Sequence, residues 1–489
     1  MAKYRHTNGS NHSRNRSAMP ELSSLAHFTS IIEENRRGEP VGTYAICSAH
    51  PWVLDCAFRQ AGEDGSLLHI ESTSSQVNQF GGYSGLTPRQ FAQQVRSAAA
   101  EAGVPPQEIL LGADHLGPYP WRGEPAATAM AKGCDSAREC VLAGYEKIHL
   151  DASMACAGDP NPLPPETIAE RAAALCLAAE NASRELPTGS PSPVYVIGTE
   201  VPIPGGEVGP GQPPAPTSAE DVSQTLELFE RAFRRANLAA AWERVIALVV
   251  QPGVEFGDNL VWDYDARRAR ALSAALPTRP AIVYEAHSTD YQKPDALARM
   301  VTDHFAILKV GPALTFAFRE AVFALSAIER ELLAWRGGMR LSRVREELDA
   351  AMLRNPIYWR PYYPGSAEEQ RLARAFSLSD RCRYYWHETA VQEELRRLLA
   401  NLAGESLPMG LLSQYLPSEY EAVRQGRLPA EPGALIRHHI RAILAVYAGA
   451  CRAVKPGASH ARESDAKSRL GMRIMEPEAK RLEQPNGRS

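Results

Sequence analysis

Three histidines stand beside carboxylates in short apolar runs: His115 follows Asp114, His149 lies two residues before Asp151, and His287 two after Glu285. In an extended chain, residues two apart share a face, so His149 with Asp151, and Glu285 with His287, point the same way. A divalent cation needs about three such protein ligands, with one position left open for a bound oxygen. His115, His287 and one carboxylate, Glu200 first among them, are the expected ligand set. Each histidine alone has a plainer use, a hydrogen bond to nearby backbone, but the three recur at matching places in a repeating pattern. Asp114, next to a ligand, suits a general base or acid toward a bound hydroxyl; its other use is to close a loop as an Asx turn. Glu285 is a further acid–base candidate. Lys309 ends the last apolar run, where it could bind phosphate, pair with a carboxylate or form a Schiff base.

Phosphate is cradled by backbone N–H groups at loops and helix starts. The segments HSTDYQ and VGPALTF supply Ser288, Thr289 and Gly311, while SSQVNQFGGYSGLTP supplies Gln79 among several polar residues and a glycine pair. With Asp151, these make up the expected substrate-binding set.

Such residues need a frame to bring them together. Strand-like runs occur at 42–48 (GTYAICS), 67–73 (LLHIEST), 109–114 (ILLGAD), 147–151 (KIHLD), 194–200 (VYVIGTE), 245–251 (VIALVVQ), 282–287 (IVYEAH) and 306–310 (AILKV). Between them, 51–61, 88–102, 124–142, 165–186, 219–236, 265–276 and 294–303 carry Ala, Leu, Arg and Glu at helical spacing. Alternation of this kind implies parallel strands joined by right-handed crossovers, and eight units close a (β/α)8 TIM barrel. The strand bodies are apolar, whereas their C-terminal ends carry Glu71, Asp114, Asp151, Glu200, Gln251, Glu285 and Lys309. A barrel of this type builds its site from those ends.

The predicted organisation is a disordered tail over 1–20, the barrel over 21–330, a helical appendage over 331–454 and a second disordered tail over 455–489. The run ALTFAFREAVFALSAIERELL reads as the last barrel helix running outward, and 204–216 as a mobile loop after strand five. A net charge of −4 gives no reason to expect nucleic acid or an anionic membrane as partner. No run approaches the length of a membrane span, and the basic N-terminus lacks the apolar core of a secretory signal. The 8 cysteines form no CxxC pair and read as reduced packing residues of a cytoplasmic protein.

The strings ICSAHPWVL, QVNQFGGYSG, GADHLGPYPW, KIHLDASM, VIGTEVPIPGG, VVQPGVEFG, YEAHSTDYQ and HFAILKVGPALTFA resemble the accessory Z subunit family of class II D-tagatose-1,6-bisphosphate aldolase. SDRCRYYW and LLSQYLPSEYEAV extend the likeness through the C-terminal helices, so that it covers 27–453. More distantly the chain is similar to the catalytic class II aldolases. Asp114–His115 matches their catalytic aspartate and metal histidine, LDAS at 150–153 their strand-four segment, and His287 their strand-seven metal histidine. It departs from them at Glu200, where they carry histidine, and at Ser288–Thr289–Asp290, where they carry a glycine-rich phosphate loop. The resemblance implies tagatose-phosphate catabolism, a divalent metal with zinc first in line, a phosphorylated ketohexose as substrate, and an oligomeric state. It leaves two activities open. One is C4 epimerisation between D-tagatose 6-phosphate and D-fructose 6-phosphate, through a retro-aldol step; the other is non-catalytic support of an aldolase Y subunit. A kinase is not indicated, because no GxxxxGK[ST] loop is present.

Overall fold

The computed structural model describes residues 23–199, 212–276 and 281–452. Glu200, both tails and most of the 204–216 loop lie outside the described residues. Eight parallel strands form a closed barrel: β1 (Thr43–Cys47), β2 (Leu68–Thr73), β3 (Ile109–Leu116), β4 (Lys147–Leu150), β5 (Val194–Ile197), β6 (Val245–Val250), β7 (Val283–Ala286) and β8 (Ile307–Val310). Each pairs with its neighbours in sequence, and β8 returns to β1 with Thr43 opposite Ile307. This is a TIM barrel with additional C-terminal helices.

Because side chains alternate along a strand, every second residue enters the barrel. An apolar layer of Ala45, Leu110, Val196, Val249 and Ile307 fills one level of the interior. Phe28 and Ile32 of the helix Ser24–Arg36 join this layer. That helix was not foreseen. It closes the bottom, where Ser24 donates to Glu146 just before β4, and Arg36 donates to the Ile282 carbonyl just before β7. Above the apolar layer the same alternation delivers Glu71, Lys147, Glu285 and Lys309, all buried. Gly112 makes this possible, since a Cβ there would sit 2.8 Å from the Glu71 side chain.

Two further features shape the top. The expected helix over 265–276 narrows to Arg270–Ala274, because Asp265 turns its carboxylate onto the Arg267 amide and holds a tight turn. A short hairpin, Glu255–Phe256 with Val261–Trp262, follows β6. Its Asp258 accepts from the Ser377 hydroxyl and the Leu378 amide, which anchors the C-terminal segment over the barrel.

The helix Pro312–Leu333 follows β8 but leans outward against the helices beyond it. The eighth place in the ring is taken by Pro432–Cys451, which packs on β1, on the Pro51–Asp64 helix after β1 and on the Pro294–Thr302 helix after β7. Its Tyr447 donates to the Thr289 carbonyl at 2.7 Å, and its Cys451 carbonyl accepts from Gly42. All eight cysteines are free. Among the described residues no helix is long and apolar enough to cross a membrane.

Candidate active site

The C-terminal ends of the strands surround a cleft of about 700 Å³, lined among others by Asp114, His115, His287, Ser288 and Lys309. Beneath it lies a continuous ionic network. Lys147 bridges Glu71 at 2.5 Å and Glu285 at 2.6 Å, with all three side chains fully buried. Lys309 pairs with Glu71, with Asp114 at 2.8 Å and with Glu285 at 3.5 Å. His69 closes the lower edge on Glu71 at 2.7 Å.

Above the lysines stand three imidazoles, with ring centres of His115, His149 and His287 4.9–5.4 Å apart. His115 has a left-handed backbone at φ 46°, and its carbonyl accepts from Ser74. Its Nδ1 meets Asp151 at 2.8 Å, and Asp151 is fixed in turn by the Ser153 amide and hydroxyl. A carboxylate held in this way orients the imidazole. His287 Nε2 contacts Glu285 at 2.9 Å. His149 receives the His115 amide on Nδ1 at 3.2 Å, and its buried Nε2 has no partner among the described residues.

Burial raises the pKa of every carboxylate here, but the cations prevail. Asp114 is held well below the usual range by His115, Lys309 and His149, and Glu285 well below it by Lys147, Lys309 and His287. Glu71 and Asp151 are lowered likewise, the first by the two lysines and the second by His115. Burial lowers Lys309, yet Asp114 and its other anionic neighbours lift it well above the ordinary value, so it is an ammonium. Burial takes His287 down to about 4, leaving a neutral imidazole. His115 goes the other way, since Asp114 and Asp151 outweigh its desolvation.

Four ionised carboxylates, Glu71, Asp114, Asp151 and Glu285, thus face two lysines and the His115 imidazole, which leaves the buried space short of positive charge. Such a deficit is costly unless a cation offsets it. Asp114, His149, Glu285 and His287 each bring a ligand-capable atom to within 4.8 Å of the others. The donor set and the charge deficit both suit a divalent cation.

Of the residues marked by sequence, Asp114, His115, Asp151, Glu285, His287 and Lys309 converge here. Glu200 lies outside the described residues. His149, which sequence paired only with Asp151, is a full member of the ligand group, and Lys147 was missed. The signal for Lys147 was its place on the inward face of β4, in phase with His149 and Asp151. Ser288 and Gly311 line the cleft, but the Gly311 amide already donates to Asp290. Thr289 is buried, its hydroxyl donating to the Lys309 carbonyl. Gln79 donates to the Lys132 carbonyl and does not line the cleft, whereas Gln76 does.

The family model described as D-tagatose-1,6-bisphosphate aldolase subunit GatZ/KbaZ-like matches residues 28–452. The chain belongs to the GatZ/KbaZ-like family. A relative in Klebsiella pneumoniae subsp. pneumoniae, the D-tagatose-1,6-bisphosphate aldolase subunit GatZ, is 49% identical over 421 residues, covering 86% of this chain and 98% of its own length. The crystal structure of a probable tagatose 6 phosphate kinase from Sinorhizobium meliloti 1021 is similar at 44% identity and a TM-score of 0.75, over 84% of this chain and all of that one. Membership of the GatZ/KbaZ-like family places the chain in tagatose metabolism.

Proposed function

We propose that the chain is itself a catalyst, interconverting D-tagatose 6-phosphate and D-fructose 6-phosphate by inversion at C4. The observation that carries this reading is the buried cluster of Asp114, His115, His149, Glu285, His287 and Lys309 opening onto one cleft. A protein that only supports another gains no stability from it, because partly compensated buried charges cost more than an apolar core.

Asp114 is ionised and faces the cleft, so it is the group to take the proton from the C4 hydroxyl. As that proton leaves, the C3–C4 bond breaks. C4 becomes the aldehyde of a phosphorylated three-carbon half, and the bonding pair passes into the ketone half as an enediolate. A divalent cation held by His149, Glu285 and His287 beside Asp114, zinc first in line, would supply Lewis-acid polarisation of the ketone. Lys309 adds fixed positive charge beside Asp114, and Asp151 steadies His115. The cleft retains both halves while the aldehyde presents its other face; the C3–C4 bond re-forms and Asp114 returns the proton. Because its carboxylate neighbours hold Lys309 as an ammonium, the amine is poorly suited to imine formation, which needs the neutral form.

The name of the Klebsiella relative favours a second reading, a supporting subunit for an aldolase Y subunit with an inherited cluster. The chain alone, incubated with fructose 6-phosphate in D2O and followed by NMR, separates the two. Tagatose 6-phosphate should appear with ordinary hydrogen still on C4, since bond cleavage leaves C4–H intact. Deuterium at C4 would keep the activity and overturn the route. No product, with stimulation of an added aldolase Y subunit, would install the second reading.

A further inference from the structure

The C-terminal helices bring one more cation to the cleft. Asp380, with a left-handed backbone at φ 47°, opens the turn Arg381–Tyr384. It is locked to the Pro312–Leu333 helix by a fully buried ion pair with Arg319 at 2.9 Å and by the Thr315 hydroxyl at 2.7 Å. This fixes Arg383 so that its guanidinium donates to the Ser379 and Asp380 carbonyls and to the Tyr384 hydroxyl. Those partners are neutral, and no carboxylate pairs with Arg383 among the described residues.

Arg383 lies on the wall between two spaces. On one side is the cleft with Asp114, His287 and Ser288; on the other is an adjoining cavity of about 970 Å³ lined by His50, Gln94 and Trp386. Among the described residues the indole N–H of Trp386, 1% exposed, has no acceptor, and neither nitrogen of His50 has a partner. Unmatched buried donors of this kind mark a place for a polar ligand. The seat that this fold commonly offers a phosphate, the amides at the start of the helix after β8, is filled from within. Asp290 accepts from Gly311 at 3.0 Å and from Ala313 at 2.8 Å. The floor of the cleft is rich in carboxylates and repels a dianion.

We propose that Arg383 anchors the phosphate of the substrate, with the phosphate lodged toward the Trp386 cavity and the ketone end lying over Asp114 and His287. A guanidinium with neutral partners keeps its charge, and of its five N–H donors the three contacts to Ser379, Asp380 and Tyr384 leave two for a phosphate. The assignment rests on the reading of the cleft as a ketohexose phosphate site. It makes the C-terminal helices part of substrate recognition.

The test is calorimetric titration of the full chain with fructose 6-phosphate and, separately, with fructose. Arg383→Met and Arg383→Gln should weaken fructose 6-phosphate binding by roughly 10- to 100-fold and leave fructose binding unchanged. Unaltered fructose binding and melting temperature show that the variants are folded, and two neutral replacements guard against failure of one. Arg383→Lys should fall between them and the parent. Equal affinity for fructose 6-phosphate in parent and neutral variants would overturn the anchor and leave the epimerase reading standing. Failure of the parent itself to bind fructose 6-phosphate would overturn both.

Discussion

Replacing Asp114 by asparagine should slow interconversion of the two hexose phosphates by about 10³-fold, within the range that general acid–base groups contribute. The change keeps shape and one carbonyl oxygen but removes the carboxylate that accepts the C4 hydroxyl proton. Folding should survive, because Lys309 retains Glu71 and Glu285 and because His115 retains Asp151. The loss should fall on kcat with little change in KM, since the sugar is held elsewhere in the cleft. Steady-state kinetics on Asp114→Asn provide the check. A decline of less than tenfold would move the base to another group, with Glu285 next in position.

The second large effect concerns stability. Lys147 is fully buried between Glu71 and Glu285, which are fully buried themselves. Lys147→Met preserves most of the volume and leaves both carboxylates with Lys309 as their remaining lysine. Stripping one partner from a buried ionic group costs about 3–5 kcal/mol. Part of that loss should return in Lys147→Met combined with Glu71→Gln, which removes the stranded charge as well. Urea denaturation of the parent, the single variant and the double variant measures both steps. A loss below about 1 kcal/mol for the single variant would mean that the network relaxes or protonates at little cost.

The barrel was legible because period-two burial is written locally. Runs such as KIHLD and IVYEAH place apolar and chemical residues on alternate faces, and eight repeats of strand and helix leave few topologies. The cluster was legible for the same reason wherever a histidine and a carboxylate lie two apart. Lys147 escaped because a single lysine at the start of a strand reads as a flank; only closure of the barrel sets it against Glu71 and Glu285. His149 was seen, but its neighbours across the barrel were not, since strand order alone does not give the inward reach of each side chain. The eighth helix was misplaced for a different reason: Pro312–Leu333 and Pro432–Cys451 are both long and apolar, and nothing local says which one returns to β1. Arg383 left no signal of its own. Its position depends on the Asp380–Arg319 pair and on the hairpin at Asp258, contacts separated by 61 and 119 residues in the chain.

Catalysis of this kind requires the buried histidines and carboxylates to form one cation site, and zinc titration of the metal-free chain tests that most directly. The predicted result is one tightly held ion per chain, and loss of that ion in His287→Ala and in His149→Ala. Zinc uptake that is weak, variable in number and the same in both variants would contradict it.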